Sequence, residues 1–307
     1  MKLKLIRQFL NTNKSGKKIK EKLKSWDFKL KLTGKNILNK KKPLLDILFY
    51  PEFPFRGYKL ARMCYASNYN ITSNIKKSCD IAIFWQDRTF KTPDQKIFEL
   101  AKKQKVINID FLDISKEKVD RVFTRIFGYS SFINPLSYSG KALKKSNENA
   151  LKDCTIIECP IKNTEPGYVY QKFYNNEIKP GILEEFRFII INNKTSYIYA
   201  RHYGPDDLFI GLQAKYIHCN PQEHFSKDEL LKIDQLIKEF NLDYGELDVM
   251  RDQDDQKLYV IDVNTTPGQS PSSHNDDQTT REVYEILTKK IQQYFQQLIN
   301  DKNSNGY

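Results

Sequence analysis

The sequence predicts an α/β protein with α+β elements, in which a small parallel α/β domain precedes a larger, strand-rich domain. Apolar strands alternate with helical patterns over residues 43–113, which is typical of a parallel sheet. Five strand patterns follow residue 128 in close succession. An amphipathic helical pattern at 226–245 then precedes two strands and a last helix. Together these three observations favour two sheets of different kinds in one chain.

The first domain is predicted from three continuous apolar runs, which are typical of strands buried on both faces. They are "LLDILFYP" after Pro43, "CDIAIFW" at 79–85 and "KVINIDFLD" at 105–113. Helical patterns at 58–68 and 93–104 separate them. We expect a small parallel sheet.

Two helices of the second domain carry clear end signals. The segment 115–128 begins with Ser115 and ends with Gly128, and the segment 226–245 begins with Ser226 and ends near Asn241. Strands are predicted between them in "KALKK", "CTIIECPI", "YVYQKFY", "EEFRFIIINN" and "SYIYARHY". The predicted boundaries are a basic extension at 1–42, a small α/β domain at 43–113, a central subdomain at 114–180, a C-terminal subdomain at 181–300 and a frayed tail at 301–307.

The formal charge of +12 lies almost entirely at the N-terminus. Residues 1–42 hold 15 Lys and Arg residues against Glu21 and Asp27, so the remaining chain is close to neutral. Such an extension attracts polyanions or anionic membrane surfaces. Its interleaved apolar residues favour an amphipathic membrane-surface helix over specific nucleic-acid binding, and a plain solvated extension remains the alternative. These residues are Leu3, Leu5, Ile6, Phe9, Ile19, Leu23, Trp26 and Phe28.

The five cysteines form no CxxC pair, which is typical of reduced thiols in a cytosolic protein. No window is apolar enough for a membrane span, and the N-terminus lacks the features of a signal peptide. The sequence therefore predicts a cytoplasmic protein, with peripheral membrane association left open.

The most informative stretch is "GELDVMRDQDDQKLYVIDVNTTPG" at 245–268. Two antiparallel strands joined at "DQDD" would bring Asp248, Asp262 and Asn264 together. Asp262 and Asn264 are two residues apart, so both side chains lie on one face of a strand. Carboxylate and amide oxygens suit Mg²⁺, and the stretch is therefore a candidate metal site.

This stretch, preceded by a helix, resembles the C-terminal nucleotide site of the ATP-grasp superfamily, in the style of its carboxylate–amine ligases. The shared pattern is Gly-x-apolar-Asp, a variable turn, and a strand ending acid-x-Asn-x-x-Pro-Gly. The resemblance implies an ATP-grasp fold, with Mg²⁺ ions held by Asp248, Asp262 and Asn264 beneath the phosphates of ATP. Asp262 replaces the more usual Glu.

The resemblance extends to other candidate residues. Residues 168–176 are similar to the hinge that holds adenine, and the strand "EEFRFIIINNK" is similar to one that faces the cleft. The implied adenine-site residues are Gln171, Lys172 and Phe173, and the implied cleft residues are Glu185, Arg187 and the weaker candidate Arg201. "LQAKYIHC" resembles a loop that closes over the phosphates, which nominates Lys215.

The implied phosphate lysines are Lys144 or Lys145, followed by a loop at 146–150, with Lys116 or Lys118 upstream. This loop has no glycine, which departs from the family pattern. Glu246 stands where an arginine is expected, which favours an amine or hydroxyl acceptor over a carboxylate. The loop after the strand that ends in Asp262 and Asn264 adds candidate substrate contacts at Ser270, Ser272, Ser273 and His274.

The resemblance implies an ATP- and Mg²⁺-dependent ligase that joins a carboxylate to an amine through an acylphosphate. Its substrates would be small molecules or peptides. Two alternatives stay open: a small-molecule kinase of the same fold, and a non-catalytic nucleotide-binding module.

Overall fold

The computed structural model describes residues 23–28, 30, 43–149, 151, 153–207, 214–268 and 278–304. In chain order the elements are β1 (Asp46–Pro51), α1 (Lys59–Ala66), β2 (Asn70–Thr72), β3 (Ile81–Trp85), α2 (Gln95–Ala101), β4 (Val106–Ile107), α3 (Lys116–Phe127), β5 (Gly140–Ser146), β6 (Thr155–Cys159), β7 (Tyr168–Lys172), β8 (Glu177–Lys179), β9 (Ile182–Ile191), β10 (Thr195–Tyr203), β11 (Lys215–His218), α4 (Pro221–His224), α5 (Lys227–Phe240), β12 (Tyr244–Arg251), β13 (Leu258–Asn264) and α6 (Gln278–Ser304).

The mixed α/β class predicted from the sequence is confirmed. The N-terminal sheet is parallel with strand order β2-β1-β3-β4. Its strand β3 is buried along its whole length, as the continuous apolar run predicted. The short strand β2 was not predicted, and β4 covers only two residues of the nine expected.

The rest of the chain forms two antiparallel sheets. A three-stranded sheet has the order β6-β5-β7. A six-stranded sheet has the order β11-β10-β9-β12-β13, with β8 paired to β9. All five strand patterns predicted after residue 128 are strands in the structure.

The helix ends follow the signals in the sequence. The Ser115 side chain accepts from the Lys118 amide, and Gly128 closes α3 in the left-handed conformation at φ 83°. Ser226 and Glu229 form a capping box on α5, which Asn241 closes at φ 49°. Both helices thus begin and end where the sequence predicts, and their apolar faces pack against the large sheet.

The two largest hydrophobic cores in the described residues pack against the large sheet. One lies between α3, α5 and one face of the six-stranded sheet, and it includes Phe123, Phe188 and Leu236. The other joins the parallel sheet, α1 and α6 to part of the opposite face of the large sheet. The large sheet is therefore covered on both sides. Among the described residues, no helix combines the length and the apolar composition needed to span a bilayer.

Candidate active site between two antiparallel sheets

The site is built on the hairpin of β12 and β13. Asp248 pairs directly with Asp262, and Glu246 pairs with Asn264. Residues directly opposite in an antiparallel pair project to the same face, so all four side chains lie on one face of the sheet. The register shifts after Asp248, where β13 carries an extra residue. The hairpin therefore brings together the three side chains predicted from the sequence.

Strands β9 and β10 add charges to the same face. Arg187 pairs in register with Asp248, and Glu185 pairs with Arg201. Arg187 forms ion pairs with Asp248, with Glu185 and, at 3.1 Å, with Glu246. Arg201 lies 3.2 Å from Glu185. The predicted residues Glu185, Arg187 and Arg201 thus form one network with Asp248.

Lys59 joins this network from the N-terminal domain. It lies at the start of α1, is 5% exposed, pairs with Glu246, and donates to the Tyr199 hydroxyl at 2.8 Å. Glu246 is 4% exposed, so its charge is neutralised inside the protein by Lys59 and Arg187. That Glu246 selects the acceptor stays a prediction; in the structure its carboxylate is held by two cations.

A cavity of about 350 Å³ lies between the three-stranded and six-stranded sheets. Asp248, Asp262 and Glu185 line it from the six-stranded sheet, Lys145 from β5 of the three-stranded sheet and Lys116 from the start of α3. Its remaining lining residues are Leu143, Glu148, Leu151, Asp153, Cys154, Phe173, Tyr174, Asn176, Met250 and Ile261. Two lysines thus face the carboxylates across a space that also has an apolar wall.

Burial and charge act against each other at this cavity. Burial raises the pKa of Asp262, although Lys116, Lys145 and Arg187 oppose the shift. Burial also raises the pKa of Asp248 well above its usual value, with Arg187 opposing and Glu185 and Asp262 adding to the increase. Burial lowers the pKa of Lys145. A bound divalent cation would stabilise the ionised form of both aspartates.

The donor set fits Mg²⁺. Two carboxylates and one amide oxygen are hard oxygen ligands, and the three side chains project from one face of the hairpin. The Asn264 Oδ1 atom accepts from the Thr266 amide at 2.9 Å, which fixes the orientation of the side chain. No group of three or more His, Cys, Asp or Glu side chains in the described residues is arranged for a metal. Mg²⁺ at Asp248, Asp262 and Asn264 stays a prediction.

The predicted hinge lies at the end of β7. Phe173 and Tyr174 line the cavity. Gln171 is buried, and its amide donates to the Ser131 hydroxyl at 3.0 Å. Lys172 pairs with Asp252 at 2.5 Å and Asp255 at 2.8 Å. The side chains of Gln171 and Lys172 therefore fix the hinge, and Phe173 offers the cavity an aromatic surface.

The loop after β5 differs from the prediction. Its amides already have protein partners: Ser146 donates to Asp153, Glu148 to Ser146, and Asn149 to the Thr89 hydroxyl at 2.7 Å. These three amides are therefore satisfied within the protein, and a phosphate-binding role of the loop stays a prediction. Lys116 lies 2.8 Å from the Asn149 side-chain oxygen, so this loop positions a cation beside the cavity.

The structure separates the alternatives left open by the sequence. Lys145 lines the cavity, whereas Lys144 pairs with Glu165 and lies over the Tyr168 ring. Lys116 lines the cavity, and Lys118 does not.

Lys215 is the first residue of β11 and pairs with His202, one residue away from Arg201. Because side chains alternate along a strand, Lys215 projects to the face opposite Arg201. It was predicted in a loop and is instead a strand residue, while its role at the phosphates stays a prediction. The candidates Ser270, Ser272, Ser273 and His274 lie outside the described residues.

A second cavity of about 160 Å³ lies beside the first. It is lined by Asp87, Arg88, Thr89, Ile114, Asn149, Asp262 and Asn264. Asp262 lines both cavities. The Thr266 hydroxyl donates to Asp87 at 2.7 Å, which connects the N-terminal domain to the segment that follows β13.

Sequence reasoning missed Lys59, Tyr174, Asp87 and Thr89. Only Tyr174 carried a signal, because it follows the predicted hinge residue Phe173. The others come from the N-terminal domain, and nothing in the local pattern connects them with a site some 170 residues later in the chain.

No protein-family model matches the sequence, and no curated protein matches it at a significant level. Solved structures do show similarity. D-alanine–D-alanine ligase from Bacillus anthracis in complex with ATP is 13% identical, with a TM-score of 0.49 over 84% of this chain and 98% of that chain.

Two enzymes that were solved with bound peptides are also similar. The macrocyclase MdnC from Microcystis aeruginosa, solved with the precursor peptide MdnA, is 10% identical with a TM-score of 0.43, over 80% of this chain and 97% of that chain. A RiPP-associated ATP-grasp ligase from Chryseobacterium gregarium, solved with ADP and a leader and core peptide, is 13% identical with a TM-score of 0.43, over 81% of this chain and 97% of that chain. The chain is thus similar, at a distance, to solved structures of a D-alanine–D-alanine ligase, a macrocyclase and an ATP-grasp ligase.

Proposed function

We propose that this protein is an ATP- and Mg²⁺-dependent ligase that joins a carboxylate to an amine. The observation that carries the proposal is the cavity in which Lys116 and Lys145 face Asp248 and Asp262. Cations on one wall suit phosphate oxygens, and carboxylates on the other suit the Mg²⁺ that accompanies them. Phe173 and Tyr174 provide an apolar surface for the base.

The residues divide into three roles. Lys116 and Lys145 bind the phosphates, and their charge stabilises the negative charge that develops during phosphoryl transfer. Asp248, Asp262 and Asn264 hold Mg²⁺, which when bound neutralises the phosphates and orients them for attack. Arg187 holds Asp248 in position and, with Arg201, balances the charge of Glu185 and Glu246.

The second cavity is the candidate site of bond formation, because it meets the first at Asp262. A substrate carboxylate oxygen attacks the γ-phosphorus of ATP, the bond to the bridging oxygen breaks, and ADP leaves. An amine then attacks the acylphosphate carbon, loses a proton and displaces inorganic phosphate. The product is an amide.

The substrates proposed are small molecules or peptides that carry a carboxylate and an amine. We propose a cytoplasmic location, which the five free cysteines support.

The test is ADP release from Mg-ATP in the presence of pooled amino acids, small peptides and sugar acids. Asp262→Ala is the test variant, and Asp301→Ala, which removes an exposed acid of α6, is the matched control. We expect Asp262→Ala to lose ADP release and Mg-ATP binding, and Asp301→Ala to keep both. Undiminished Mg-ATP binding by a folded Asp262→Ala variant would contradict the proposal.

Hydroxylamine distinguishes the chemistry. An acylphosphate intermediate gives a hydroxamate, whereas a kinase gives a stable phosphorylated alcohol. Mg-ATP binding without ADP release for any pool would instead indicate a nucleotide-binding module.

A further inference from the structure

A short helical segment from the basic extension lies on the N-terminal domain. Residues 23–28 are helical, and Phe28 is completely buried in the core shared by α1 and the parallel sheet. The Phe28 ring lies 6.3 Å from Phe53 and 5.9 Å from Tyr65, centroid to centroid. The Ser25 hydroxyl donates to the Phe53 carbonyl at 3.2 Å. The segment is therefore attached to the domain through one of its faces.

The opposite face of this segment is apolar and exposed. Leu23 is 59% exposed, Trp26 72% and Leu30 69%. Their spacing of three and four residues aligns them on one side of a helix, about half a turn from Phe28. Trp26 is the most exposed large apolar side chain that the structure describes. We call Leu23, Trp26 and Leu30 the exposed stripe.

The charge of the surrounding sequence indicates what covers the stripe. Residues 14–31 hold eight lysines against Glu21 and Asp27. Apolar side chains in a strongly basic sequence are typical of helices that lie in the interface of an anionic bilayer. Lysines bind the headgroups, while Trp and Leu enter the boundary between headgroups and acyl chains. A nucleic acid would satisfy the lysines but would leave the two leucines in water.

We propose that the exposed stripe binds an anionic lipid surface, with Phe28 attaching the N-terminal domain to the bound helix. This goes beyond the proposed ligase activity and does not depend on it. The stripe lies opposite Phe28, so the protein can bind a membrane without releasing the segment from the N-terminal domain.

Trp26 itself reports on the interaction. The other tryptophan, Trp85, is 1% exposed in the core, so any shift in tryptophan fluorescence emission on binding comes from Trp26. The full chain is titrated with vesicles of phosphatidylglycerol and phosphatidylcholine, and with pure phosphatidylcholine vesicles. We expect a shift of emission to shorter wavelength and cosedimentation with the anionic vesicles alone, both weakened by salt.

Two matched variants test the stripe. Leu23→Gln/Leu30→Gln retains Trp26 and every lysine, and we expect it to bind anionic vesicles about tenfold or more weakly. Leu231→Gln changes a leucine on α5 that is 63% exposed, and we expect unchanged binding. Near-ultraviolet circular dichroism and thermal unfolding should be the same for all three proteins, because the changed side chains are exposed.

Three results would overturn the proposal. The first is equal vesicle binding by Leu23→Gln/Leu30→Gln and the unchanged protein. The second is Trp26 emission that is already at short wavelength without vesicles, which would mean that the chain itself or a second copy covers the stripe. The third is the same emission shift with inorganic polyphosphate as with vesicles, because a soluble polyanion offers no apolar phase.

Discussion

The two faces of the six-stranded sheet come from the same strands and differ in what they bury. One face presents Phe186, Phe188 and Leu247 to α3 and α5. The other presents Glu185, Arg187 and Glu246, which are almost as deeply buried. The apolar face needs only close packing, because any apolar side chain that fits is stabilising. The charged face needs specific partners, because an unpaired buried charge is strongly destabilising.

The largest effect is expected on the apolar face. Phe188 is completely buried and its ring lies 5.1 Å from Phe225. Phe188→Ala should lower the free energy of unfolding by about 3–5 kcal/mol, through lost burial and the cavity left behind. Chemical denaturation measures this. A loss below about 1 kcal/mol would show that the site collapses around the smaller side chain.

A buried lysine outside the charged network allows a paired buried charge to be compared with an unpaired one. The Lys91 ammonium has no hydrogen-bond partner among the described residues, and burial lowers its pKa to about 7. The folded protein therefore binds this proton more weakly than the unfolded chain. Lys91→Met should raise the free energy of unfolding by about 2–4 kcal/mol at pH 7.

The pH dependence of Lys91→Met gives the control. The gain in unfolding free energy should be largest below pH 7, where the folded protein must bury a charged lysine. It should decline between about pH 7 and 10.5, because the folded lysine is then neutral and the unfolded one becomes neutral as the pH approaches 10.5. Urea denaturation at pH 7 and pH 10 measures both values. An equal gain at the two pH values would mean that packing, rather than ionisation, is responsible.

The charged face should depend on its pairs. Lys59→Met leaves Glu246 with Arg187 alone and should cost about 2–3 kcal/mol of stability. Lys59→Met/Glu246→Gln should recover part of that loss, because it also removes the unpaired charge. The double-mutant cycle, measured by chemical denaturation, gives the coupling free energy between Lys59 and Glu246. Strictly additive effects would contradict an energetic pairing of the two residues.

The smallest expected effect is on nucleotide binding, and it distinguishes two neighbouring lysines of β5. Lys145→Gln should weaken nucleotide binding by about tenfold, or about 1.4 kcal/mol, whereas Lys144→Gln should change it less than about twofold. Lys145 lines the cavity and Lys144 pairs with Glu165 outside it. Titration of both variants with a non-hydrolysable ATP analogue measures the difference. Similar losses in both variants would contradict the assignment of Lys145 as the phosphate lysine.

Local pattern predicted most elements correctly, because helix caps and strand periodicity are short-range effects. Ser115, Ser226 and Asn241 mark helix ends in the structure as they do in the sequence. The short strands β2, β8 and β11 were missed, since none of them is long enough to show a period. Lys215 was assigned to a loop because "AKY" resembles one, and pairing with β10 makes it a strand residue.

The sequence by itself determined the hairpin, because strand alternation places Asp262 and Asn264 on one face and the turn brings Asp248 opposite. It also determined the basic N-terminus, which composition alone reveals. Only the tertiary structure decided which charges meet: Lys59 neutralises Glu246, and Lys145 rather than Lys144 lines the cavity. It also decided which apolar side chains are buried, because Phe28 is buried while Trp26 is exposed. The physical reason is that alternation and composition are local, whereas pairing and burial depend on segments far apart in the chain.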